Sequence, residues 1–68
     1  MTPWKVEMGK ITAFDDALIL KFEIGPHWAG GYLLRIVNTM EDMTLELKQC
    51  DSIASAKAAA NNWMEKQL

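Results

Sequence analysis

The sequence predicts an α+β fold, an antiparallel meander of three to four strands with one C-terminal α-helix packed on one face. Three observations lead there. As far as Cys50, apolar residues recur at every second position in short stretches. Breaks rich in Asp or Gly separate those stretches. From Ser52 onward the apolar period lengthens to about 3.6 residues. With 68 residues the chain has room for a single domain, residues 1–68.

The first strand is expected over residues 4–8, where Trp4, Val6 and Met8 alternate with Lys5 and Glu7, and it continues to Ile11. Thr12 to Asp16 then reads as a break, because consecutive aspartates favour turns by bonding nearby backbone amides. Residues 17–24 alternate most cleanly. Leu18, Leu20, Phe22 and Ile24 share one face, and Ile19, Lys21 and Glu23 the other. After Gly25 to Gly31, residues 32–37 are apolar on both faces except at Arg35, the pattern of a central strand. Asn38 to Met43 reads as a turn, and Thr44 to Cys50 as a fourth strand with Leu45 and Leu47 inward.

Ile53, Ala56, Ala60 and Trp63 mark the buried stripe of the closing helix, and Ser52 is its expected N-cap. Its alanines combine high helix propensity with little bulk, so the axis can approach the sheet closely. In an up-and-down order the Asp15-Asp16 and Glu41-Asp42 turns fall at one end of the sheet. The Gly25–Gly31 loop falls at the other end, beside the helix N-terminus.

Composition narrows the function. The longest uncharged apolar run, Ala17 to Leu20, is far short of the roughly 20 residues a membrane-spanning helix needs. The opening Met-Thr-Pro-Trp-Lys lacks a basic stretch followed by an apolar one, so a cytosolic location is expected. Cys50 is the only cysteine, which excludes an internal disulfide and suits a reducing compartment. A net charge of −2 without a block of Lys or Arg argues against nucleic-acid binding.

Four features compete as sites. Trp28, next to His27 in the glycine-framed loop, either anchors a partner or folds back over the open end of the core. The shortage of core in so short a chain favours the second. Asp15, Asp16, Glu41 and Asp42, joined by Glu65, could form an acidic edge for a basic partner, or simply be solvated turn residues. Ile19, Leu33 and Val37 point away from the helix, with Met40 and Met43 nearby, and could pair two copies of the chain. The alternative there is that Lys21, Glu23, Arg35 and Lys48 cover them with their aliphatic stems. Finally, His27 and Cys50 have no acid, nucleophile or metal-binding companion legible in the sequence. No metal or cofactor is therefore expected, and Gly30-Gly31 reads as a source of positive backbone dihedrals.

The tail DSIASAKAAANNWMEKQL follows strands that begin PWKVEMGKI and include GGYLLRIVNTM. In this it resembles a class of very small phage and prophage proteins whose three- or four-stranded antiparallel sheet ends in an Ala-Lys-rich helix. Several characterised members are anti-CRISPR proteins or other inhibitors of host machinery. The resemblance implies a stoichiometric, non-enzymatic binder of a host protein or complex, acting in the host cytosol. It assigns no role to any individual residue. A homodimeric assembly module pairing through Ile19, Leu33 and Val37 is the alternative reading.

Overall fold

The computed structural model describes residues 2–67. Its sheet is a meander in chain order: β1 (Lys5–Glu7), β2 (Lys10–Asp15), β3 (Leu20–Pro26), β4 (Tyr32–Asn38) and β5 (Met43–Cys50), each antiparallel to its neighbour. A single helix, α1 (Ile53–Gln67), packs against β3, β4 and β5. The α+β class and the meander are as the sequence predicts. The strand count is five, not three to four.

The additional hairpin lies at Met8-Gly9. Both residues take positive φ, 50° and 79°. A two-residue turn of that hand matches the twist of the flanking strands, so Glu7 pairs directly with Lys10. The single strand expected from Trp4 to Ile11 is thus folded back on itself. Thr12 to Asp15, expected as a break, completes β2, with Thr12 and Asp15 both buried. Asp15 keeps its turn chemistry from inside the strand, because its Oδ1 accepts the Leu18 N–H at 3.0 Å.

Alternation along β3 and β4 places Leu20, Phe22, Ile24, Leu34 and Ile36 beneath the helix, where all are buried. Ala56 and Ala60 meet them with no exposed surface, the close approach that small side chains permit. Trp4 and Trp63 reach Phe22 from opposite ends of the chain. Each ring lies 6.3 Å from the Phe22 centroid, at 71° and 74°, the edge-to-face geometry that aromatic quadrupoles favour. The helix starts as predicted. Ser52 Oγ accepts the Ser55 N–H at 3.0 Å, and Ser55 Oγ accepts the Ser52 N–H at 3.1 Å, a reciprocal cap with serine in place of the usual glutamate.

β5 differs from expectation in the direction of its side chains. Cys50 lies opposite Tyr32, Lys48 opposite Leu34 and Glu46 opposite Ile36, so the helix side of β5 carries Cys50, Lys48 and Glu46. Leu47 lies opposite Arg35 on the other side and is 58% exposed. Because Ile36 pairs with Glu46 and Val37 with Thr44, Leu45 has no partner across the strands; it sits at a bulge and is 42% exposed. The expected inward placement of Leu45 and Leu47 does not occur, because the register with β4 gives the helix side of β5 to Cys50, Lys48 and Glu46. There a shallow groove is lined by Glu46, Lys48, Asn62, Trp63 and Lys66.

Candidate functional site

The loop between β3 and β4 presents a tryptophan to solvent. The His27 N–H donates to the Gly31 carbonyl at 3.1 Å, and the Gly30 N–H donates back to the His27 carbonyl at 3.0 Å. Gly30 and Gly31 supply the positive φ values, 103° and 71°, that the sequence assigned to them. Within this closed loop the His27 Nδ1 accepts the Ala29 N–H at 3.1 Å. The imidazole is thereby oriented, and the Trp28 ring stacks on it at 5.6 Å and 27°. Trp28 is 93% exposed. It does not fold back over the core, since Trp4 and Trp63 already flank Phe22.

The acidic turns lie together at the opposite end of the sheet. The Thr39 N–H donates to the Ile19 carbonyl at 3.0 Å, which ties the β4–β5 turn to the end of the β2–β3 turn. Asn38 Oδ1 shapes its own turn by accepting the amides of Met40 and Glu41. Asp16, Glu41 and Asp42 are exposed there, but Asp15 is buried on the helix side of the sheet. Its carboxyl is held below the ordinary aspartate range, chiefly by the Leu18 amide. The acidic surface therefore rests on three carboxylates.

The sheet face away from the helix is charged. Glu23 stands at its centre, within 3.8 Å of Lys10, 3.9 Å of Lys21 and 3.5 Å of Arg35. Lys21 also reaches Glu7 at 3.7 Å, and Glu7 reaches Lys5 at 3.6 Å. Beneath these side chains Val37 is only 7% exposed and Leu33 is half-buried. Ile19 is in the turn rather than in a strand, with φ 56°, and is likewise half-buried. Those three residues therefore do not form an open apolar surface. The hub at Glu23 was not legible in the sequence, because only register brings three cations from three strands to one carboxylate.

A groove of about 550 Å³ runs between the N-terminal segment and the sheet, lined by Pro3, Trp4, Glu7, Thr12, Phe14 and Lys21 among others. In its lining the Glu7 carboxylate is shared by two ammonium groups, Lys5 and Lys21. Cys50 is buried, its Sγ 3.8 Å from the Lys48 carbonyl. Among the described residues no three His, Cys, Asp or Glu side chains gather as metal ligands, and no helix is long and apolar enough to cross a membrane.

Compared with protein-family models, with curated proteins and with solved structures, the chain matches none.

Proposed function

We propose that the protein is a non-enzymatic binding protein that acts by holding another protein against its surface, with Trp28 as the anchor. One observation carries this reading: a tryptophan 93% exposed, stacked on an oriented histidine, on a loop closed by its own hydrogen bonds. Such a side chain has little conformational freedom left to lose on binding, and a buried tryptophan is among the strongest interface anchors. Tryptophan is also among the residue types most enriched in interface hot spots. The likeness to phage inhibitors supplies the partner's class, a host protein or complex. Asp16, Glu41 and Asp42, at the far end of the sheet, would complement a basic partner large enough to span the domain's 31 Å long axis.

The test is affinity capture from a bacterial lysate with paired baits, the native chain and Trp28→Ala. The native bait is expected to retain a partner that the variant loses, with the circular dichroism of the two identical. Equal retention by both baits would remove Trp28 from the interface.

A further inference from the structure

Of the two sheet edges, β1 and β5, the longer is β5. The strands contain eight Lys, Arg and Glu side chains. Lys5, Glu7, Lys10, Lys21, Glu23 and Arg35 all stand in ion pairs. Among the described residues the remaining two, Glu46 and Lys48, stand in none, and both belong to β5. They point to the same side, two residues apart, with Leu47 exposed between them on the other side.

The backbone directions along β5 follow from the register. In an antiparallel pair, hydrogen-bonded positions alternate with non-hydrogen-bonded ones. His27 bonds to Gly31 and Thr39 to Ile19, so the odd-numbered residues of β4 turn their polar groups toward β3, and the even-numbered ones toward β5. Tyr32, Leu34 and Ile36 therefore bond to Cys50, Lys48 and Glu46. Leu47 and Gln49 are left with their N–H and C=O groups aimed out of the sheet.

We infer that this edge takes a second copy of the chain, β5 against β5 antiparallel, with the two-fold axis at Leu47 and Glu46 of each copy opposite Lys48 of the other. Matching the outward backbone groups restricts the register to steps of two residues, and charge selects among those steps. Centring the axis on Glu46 would oppose two glutamates, and centring it on Lys48 would oppose two lysines. Centring it on Leu47 opposes Glu46 to Lys48 twice, at the non-hydrogen-bonded positions where cross-strand side chains lie closest. It also sets Leu47 against its own copy. The product is a ten-stranded sheet with both helices on one side. A strand that carries exposed Leu45 and Leu47 along an unpaired backbone is otherwise an aggregation hazard. This association uses neither the Trp28 loop nor the acidic end, so it stands or falls separately from the binding function proposed above.

Sedimentation equilibrium on four samples tests it: the native chain, Glu46→Lys, Lys48→Glu, and an equimolar mixture of the two variants. The native chain is expected to dimerise. Each single reversal places like charges opposite one another twice and should weaken the dimer at least about tenfold. The mixture should recover it, because one variant then sets two cations against the other's two carboxylates, forming two opposite-charge pairs in this register and only one in either neighbouring register. Recovery on mixing also shows that both variants are folded. A native chain that stays monomeric at about 1 mM would overturn the inference, since association would then be weaker than any specific dimer requires. So would a dimer indifferent to both reversals, or one abolished by Trp28→Ala instead.

Discussion

The two edges of the sheet are built in opposite ways. β1 is three residues long, and both of its charged side chains are already paired, Lys5 with Glu7 and Glu7 with Lys21. The chain before it continues along β2, with the Thr2 N–H donating to the Phe14 carbonyl at 2.7 Å and Thr2 Oγ1 accepting the Phe14 N–H at 2.8 Å. β5 is eight residues long and carries exposed Leu45 and Leu47 beside two charges that have no ion-pair partner among the described residues. Short length, internally paired charge and local backbone cover are the means by which an edge is kept from adding strands. β1 uses the first two, whereas β5 has only the bulge at Leu45. An edge so lightly protected is the one through which the sheet can grow.

The contrast can be broken most forcefully at the anchored end of β5. Gly31 takes φ 71°, and a Cβ there would lie 2.5 Å from the Cys50 carbonyl oxygen, a backbone atom with little freedom to move. Gly31→Ala combines that collision with a left-handed backbone and should cost about 3 kcal/mol. Urea unfolding followed by tryptophan fluorescence measures it, and an unchanged midpoint would mean that β5 is not held by this close approach. A smaller loss is expected on the β1 side. Trp4→Ala removes one of the two rings against Phe22 and loosens the segment that precedes β1, costing about 2 kcal/mol because Trp4 is only half-buried. In amide exchange the Trp4→Ala chain should lose protection in β1 before β5.

The smallest effect appears only in acid. The folded-state carboxyl of Asp15 titrates below its usual range, so the unfolded chain takes up the proton more readily. The stability Asp15 contributes is therefore complete above about pH 4 and is lost as the pH falls through the lowered folded value. Thermal midpoints of the native chain and Asp15→Asn should differ least at the most acidic pH, and the native chain should show the steeper decline. Parallel curves would show that the Leu18 amide does not govern this titration. Since Asp15 ends β2, acid should open the β2–β3 turn while leaving β5 protected.

Much of the fold could be read from residue order, and the misreadings share a cause. The Met8-Gly9 turn escaped notice because methionine at positive φ is not a turn signature. The phase of the alternation does shift there, since Lys10 is charged where an unbroken strand would be apolar and Ile11 is apolar, but a one-residue shift is weak against a single longer strand. Asp15 reads as solvated because aspartates in turns usually are. Here the same carboxylate serves the turn while facing the core, which depends on β2 continuing past Thr12. Leu45 and Leu47 alternate with Glu46 and Lys48, so the strand is equally consistent with either face being covered. Trp28 was expected to fold inward; two other tryptophans occupy the positions beside Phe22.

Residue order alone determined the α+β class, the helix with its serine cap and alanine face, the apolar row of β3, and the need for glycine at residues 30 and 31. These are local properties, set by side-chain period, backbone sterics and hydrogen bonds within a few residues. Tertiary structure decided that there are five strands, that Asp15 is buried and Trp28 is not, that Glu23 gathers three cations, and that β5 turns its charges toward the helix side. Alternation states which residues share a face, but only strand register and the position of the helix determine which face is covered and where the covering stops.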